Sequence, residues 1–332
     1  MKNIAIMILA GAFLFSCSSD KNNDNSKSDE LSNASFYLGY KFDKGQKHSF
    51  LLSTVTSQTQ DIKGDTVMLS QSGQTENYRI ETEVLNSFDD GNIIKVIIPH
   101  IDMTASMNDQ TMAYDSDKEL SKKEKLQFID YEALLNSPFK IAFGMNGDIS
   151  NIIGAESIIE KMITINGISA KLSDEEKKNY AYELAGTALK PLCQQIYRKL
   201  PDTTVSVGSE WTISYESQLA SFTIMNNAVY KLSEIREVNG DTLLTITATL
   251  TAKVSGERRV EQNNSIYVFE NPNITGSGTS TFNLSKGITE ESETIIRIEM
   301  FIKVLTKDEF GKNVEVLRND LTINKYNTKL LD

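Results

Sequence analysis

Histidine and cysteine are scarce in this chain: two of each in 332 residues, with a single tryptophan. Two histidines leave little for a His-rich zinc centre, and no HExxH, GxSxG or CxxC motif is present. Positive charge is also short, at 34 Lys and Arg against 45 Asp and Glu, a net −11 and a pI near 4.9. Nucleic-acid binding draws on clustered Lys and Arg, so an acidic chain argues against such a partner. Beyond the first residues no apolar run is long enough to span a bilayer as a helix. What remains is an ordinary globular composition, 39% hydrophobic and 24% charged, long enough for a sizeable core.

The first residues carry an address. Lys2 precedes an apolar run over residues 4–15, too short to span a bilayer and of the right length for a secretory signal. Leu14-Phe15-Ser16-Cys17 resembles the lipobox of bacterial lipoproteins. That resemblance implies cleavage between Ser16 and Cys17 by signal peptidase II, then a diacylglycerol thioether and an N-acyl chain, palmitate for example, on Cys17. Residues 1–16 are then the signal peptide and Cys17 the membrane anchor; two or more acyl chains suffice for stable attachment. Ser18 rather than Asp follows the cysteine, which by lipoprotein sorting rules implies the outer membrane. Residues 17–35 are almost wholly polar and read as a tether, with a reach of about 25 Å. Ser18-Ser19-Asp20 is compatible with display on the cell surface, so periplasmic and surface-facing orientations both stay open.

From Phe36 onward the dominant period is two. Leu244, Ile246, Ala248, Leu250, Ala252 and Val254 alternate with Thr245, Thr247, Thr249, Thr251 and Lys253, a strand with one apolar and one polar face. With Asn239-Gly240 before it, residues 228–255 read as a long β-hairpin. Thr294, Ile296, Ile298, Met300, Ile302 and Val304 mark another strand. Residues 77–85 and 93–103 form a third hairpin, its return strand apolar on both faces through Ile98 and so expected to be covered on both sides. Pro99 should sit at a strand end or bulge. Helical signals fall mid-chain: capping boxes at Ser121/Glu124 and Ser173/Glu176, and a candidate helix over 155–165. A helical row from Tyr182 to Leu200 is interrupted by Pro191, which should kink or split it.

The predicted class is therefore α+β, mainly antiparallel β, with long hairpins in curved or packed sheets and a helical segment at 155–200. The hairpin at 78–98 is echoed at 230–250, and the strand–Gly–strand unit at 139–154 is echoed at 278–292. These echoes suggest a duplicated unit, 36–154 and 203–332; the unequal spacing leaves two generic hairpins as the alternative. Lipobox, polar tether and the PFKIAFGMNGDISNIIG unit together resemble an uncharacterised group of Gram-negative lipoproteins with a domain of unknown function. That resemblance implies a β-rich envelope lipoprotein and carries over no catalytic residues. A looser similarity is to curved-sheet lipoprotein carriers that shelter acyl chains.

Candidate chemistry is sparse. His48 and His100 are placed at strand ends, the first at a start and the second at an end, with no catalytic residue or metal ligand assigned. Cys193 shares an apolar helical face with Leu189 and Ile196 and reads as a buried, inert thiol. Among the acidic groups, Asp89/Asp90 fit a hairpin turn, while Asp115/Asp117 and Glu290/Glu291/Glu293 fit solvated faces. Trp211 alternates with Ile213 and Tyr215 and reads as core. Asp65-Thr66-Val67, Asp202-Thr203-Thr204 and Asp241-Thr242-Leu243 match an Asp-Ser/Thr-apolar sequon for O-glycosylation at Thr66, Thr203 and Thr242. The expected function is a lipid-anchored, non-enzymatic binding or structural module with an unknown protein, glycan or lipid ligand and no cofactor. A lipid carrier with an apolar cavity and a carboxylate-based hydrolase are the alternatives.

Overall fold

The computed structural model describes residues 34–64, 67–167, 172–263, 265–307 and 311–331. Its first half meanders through β1 (Lys47–Lys63), β2 (Val67–Phe88), β3 (Gly91–Met107) and β4 (Gln110–Asp115). Two short helices follow, α1 (Lys122–Gln127) and α2 (Ile129–Leu134), then the hairpin β5 (Phe139–Gly144) and β6 (Ile149–Ile153). The helical middle holds α3 (Ala155–Asn166), α4 (Asp174–Leu184), a π-helical turn (Ala185–Leu189) and α5 (Lys190–Gln194). The second half is again strands: β7 (Glu210–Leu219), β8 (Phe222–Val238), β9 (Asp241–Gly256), β10 (Arg259–Gln262), β11 (Ser265–Phe269), β12 (Asn273–Asn283), β13 (Ile288–Lys307) and β14 (Asn313–Leu330). The structure is thus mostly antiparallel β with few helices, as the two-residue period predicts.

Eleven strands form one open ladder along the path β10-β11-β13-β14-β1-β2-β3-β5-β6, with β12 paired to β13 and β4 to β3. The second ladder is β7-β8-β9. The two meet where β9 runs beside β12: Leu284 N–H donates to Thr242 O at 2.9 Å, and a Cβ on Gly276 would stand 3.2 Å from Leu250 Cβ. Tyr215 of β7 lies within electrostatic reach of Tyr326 of β14. In a flat array those strands would be about 24 Å apart, so the sheet curls around its inner face.

Alternation decides which residues fill that inner face. Phe50 and Leu52 of β1 stand opposite Ile80 and Tyr78 of β2, and all four are buried. A fully buried side chain of this size contributes about 1.5–3 kcal/mol. Against them lies an aromatic cluster from the preceding segment and the helices. Tyr40 meets Tyr197, Phe143 and Phe282 edge-on at 5.6–5.8 Å, and Tyr197 stacks on Phe143 at 4.7 Å. Helix α3 adds Ala155, Ile158, Ile159 and Ile163 to the same contiguous core. Both capping boxes form as expected. Pro191 stands in the first turn of α5, just after the π turn in which Lys190 N–H reaches Ala185 O. The proline cannot serve as a donor to the turn before it, and the widened turn absorbs the mismatch.

Two expectations are corrected. The return strand β3 is covered on one face only: Ile94, Val96 and Ile98 are buried, whereas Ile93, Lys95 and Ile97 are half-buried, because no layer packs fully on the outer side. His100 is not at a strand end, because β3 runs on past it to Met107.

Candidate functional site

The interruption that sequence places at Pro99 is a β-bulge inside β3. Arg79 of β2 faces His100 and Glu81 faces Ile97, so Ile80 alone opposes Ile98 and Pro99. Proline has no ladder donor to lose there. The extra residue shifts the alternation, so that Ile98 and Ile101, three apart, are both buried, while Pro99, His100 and Asp102 face outward.

Strand β4 then brings acidic groups to this histidine. Asp115 pairs with Asp102 across the ladder, and Ser116 exchanges bonds with Ile101: its N–H to the Ile101 carbonyl and its Oγ from the Ile101 N–H, both 3.0 Å. The next turn closes as Asp117 N–H donates to Asp115 Oδ1 at 3.0 Å. His100 Nδ1 lies 3.2 Å from Asp117 Oδ1 and 3.1 Å from Ser116 Oγ. His100 Nε2 lies 3.5 Å from Asp102 Oδ2, and Asn77 Nδ2 donates to Asp102 Oδ1 at 2.8 Å. The Asp117 amide, followed by Lys118 at 3.1 Å, holds the Asp115 carboxyl below its usual range. Arg79, Glu81, Pro99, His100 and Asp117 line a shallow, open depression of about 520 Å³. One ligand atom each from His100, Asp115 and Asp117 lies within 4.8 Å of the other two, a set able to hold a cation. Ser116 Oγ accepts from the Ile101 amide and keeps its own O–H for His100 Nδ1.

A second polar cluster lies on the inner face. Glu76, 3% exposed, accepts from Thr54 Oγ1 at 3.0 Å, from Gln74 Nε2 at 2.9 Å and from the Tyr131 hydroxyl. Burial, reinforced by the Glu76 charge, raises the Tyr78 and Tyr131 hydroxyls far above the ordinary tyrosine value. A depression of about 570 Å³ on the outer side of β1–β3 is lined by Ser57, Gln58, Gln71, Ser106 and Asn108, among others.

The remaining sequence candidates scatter. His48 is buried between the Phe42 and Phe50 rings on the inner face, two strands over from the outward-facing His100. Cys193 is buried and unoxidised, and burial pushes its thiol up to about 12. Trp211 is half-buried and stacks on Tyr230 at 5.6 Å. Asp89 and Asp90 form the β2–β3 turn; Glu290 accepts from Asn283 and pairs with Lys286, and Glu293 pairs with Lys325. Glu291 accepts from Thr281 Oγ1. Thr203 is exposed in a loop, and Thr242 is half-buried with its amide on Ser285 Oγ. Ser16, Cys17 and Thr66 lie outside the described residues. The grouping of His100 with Asp115 and Asp117 escaped sequence reading. Its signal was the Pro-His step, a bulge that turns the imidazole outward.

The fold defines a class, a large open antiparallel sheet curled over a small helical layer. More narrowly, the chain belongs to DUF6263, a family of unknown function, whose profile matches residues 89–289. No curated protein matches. Among solved structures it is similar to one of lipid–protein interactions in lipovitellin, at 8% identity and a TM-score of 0.44 over 88% of this chain and 26% of that one. This chain therefore spans about a quarter of the lipovitellin chain. Pseudomonas aeruginosa OpdK with vanillate matches at 7% identity and TM-score 0.18, over 83% of this chain and 98% of its own. The COG4313 outer membrane channel of Pseudomonas putida F1 matches at 7% and 0.15, over 88% and 97%. At TM-scores below 0.5 these likenesses bear on neither fold nor function.

Proposed function

We propose that this chain is a non-enzymatic binding or structural module of the cell envelope, anchored at the outer membrane through lipid on Cys17. The observation that carries the reading is polarity along the sheet. The described chain enters at the helical end, where Phe36 bridges Val205 and Tyr40 joins the core. The C-terminal end returns there too, Leu331 N–H donating to Ser49 O at 2.8 Å. From that end β1 runs 17 residues to the β1–β2 tip, about 55 Å away. Val67, Met68, Leu69 and Leu317 are exposed on the far hairpins. An anchor at Cys17, joined to Phe36 by a tether of about 25 Å, lets the hairpin tips, about 55 Å further on, reach beyond the membrane surface, as a module presenting a surface to a partner requires.

Carriage of lipid in an enclosed cavity receives less support. The apolar row Leu250, Ile274 and Ile296 belongs to the contiguous core, and the two depressions described above are lined mostly by polar residues. We also read the two halves as diverged copies. The neighbour order β2-β3-β5-β6 is repeated as β8-β9-β12-β13. Gly91 beside Gly144 corresponds to Thr242 beside Leu284, and Phe36 and Val205, each leading into a copy, pair with one another.

Mass spectrometry of the protein from envelopes tests the reading. A mature chain beginning at acylated Cys17, and an uncleaved product from Cys17→Ser, are expected. A mature N-terminus elsewhere overturns the anchor. Turnover of an envelope substrate that one substitution abolishes overturns the non-enzymatic role.

A further inference from the structure

A metal-binding imidazole is recognisable from what holds its other nitrogen. One nitrogen commonly donates to a carboxylate that fixes tautomer and ring plane, leaving the other lone pair for the ion. His100 has a carboxylate beside each ring nitrogen. Its Nε2 faces Asp102 Oδ2 at 3.5 Å, and Asp102 is itself fixed by Asn77 at 2.8 Å. With the proton on Nε2, the Nδ1 lone pair takes the Ser116 hydroxyl at 3.1 Å and stands 3.2 Å from Asp117 Oδ1 with Asp115 nearby; a cation there displaces the hydroxyl and relieves the meeting of lone pair and carboxylate. The depression on this side gives solvent access, so water can complete the coordination.

We propose that His100 Nδ1, Asp115 and Asp117 bind a divalent transition-metal ion, of which zinc has the matching chemistry, on the outward face of β3 and β4. One imidazole with two carboxylates suits zinc better than calcium or magnesium, which take oxygen ligands throughout. Zinc bonds of about 2.0–2.2 Å set tetrahedral ligands roughly 3.4 Å apart. Atoms now up to 4.8 Å apart must therefore close by about 1.4 Å. The Asp117 side chain, 77% exposed, can make that move, while the ion displaces Lys118 from its 3.1 Å contact with Asp115. Asp102 is a positioning residue, and the site does not depend on the anchor.

Calorimetric titration of zinc chloride into the full-length mature protein, with Co²⁺ visible absorption as the second readout, tests the site. One equivalent of zinc is expected. His100→Ala and Asp117→Asn, each checked by circular dichroism, should weaken it about 100-fold or more and remove the Co²⁺ band. Asp102→Asn keeps every ligand atom and should weaken binding about 10–100-fold. Asp117 is on an exposed turn, so its variant stays informative if His100→Ala misfolds. No zinc uptake by the unsubstituted protein, or unchanged affinity in His100→Ala or Asp117→Asn, would overturn the proposal. So would calcium binding tighter than zinc, the mark of an oxygen-only acidic patch.

Discussion

At Gly147 the backbone has φ +82°, and a Cβ would collide with the Arg198 carbonyl oxygen and come within 2.8 Å of the Tyr40 ring. Strain and collision act together there, so Gly147→Ala should cost about 3 kcal/mol or more. Gly45 has a similar φ of +86° but nothing within 4 Å of its would-be Cβ, so Gly45→Ala should cost only about 1 kcal/mol. Urea midpoints of the two variants separate collision from strain. Tyr131→Phe removes one donor from the buried Glu76 carboxylate and should cost about 1.5–3 kcal/mol, read in the same way. None of these costs was visible in sequence. Gly147 read only as a turn glycine in the strand–Gly–strand unit and Glu76 drew no reading, because each is decided by a neighbour that is distant in the chain.

Among the elements, hairpins and helix starts were legible because their signals are local. The alternation of residues 244–254 and the Asn239-Gly240 turn gave β8–β9, and Ser173 with Glu176 gave the start of α4. The Pro99 bulge was legible as an interruption but not as a device. Deleting Pro99 would restore regular alternation, with Ile98 and Ile101 still inward and His100 still outward. The variant should keep its stability within about 1 kcal/mol. Deleting Asp102 instead moves Met103 to the outer face and should destabilise severely. Chemical denaturation of the two single-residue deletions, followed by far-UV circular dichroism, checks the contrast.

For the whole molecule, the buried core holds protons that the unfolded chain releases at high pH. The Cys193 thiol is raised from 9.0 to about 12, and the Tyr40 hydroxyl from 10.0 to about 12, in both cases chiefly by burial. Raised values in acids stabilise the protonated native form. That stability is fully present below about pH 9 and is lost as pH rises toward about 12. The urea midpoint should therefore hold steady up to about pH 9 and then fall, and Cys193→Ala should flatten the part between pH 9 and 10. A thiol reagent at pH 8 should likewise react with Cys193 only at the rate of opening.

Sequence by itself determined the antiparallel β class, the positions of several hairpins and helix starts, and an N-terminal lipobox pattern. Those features depend on periods of two or on contacts a few residues apart, which the order of side chains displays directly. Only the tertiary structure decided that the sheet curls, that β9 comes to lie beside β12, and that His100 meets Asp115 and Asp117. The first two depend on packing between strands distant in the chain, and the third on strand register and the one extra residue at Pro99. A single-residue slip reverses every side chain, and only the packed core, by burying Ile98 and Ile101 together, fixes which register is used.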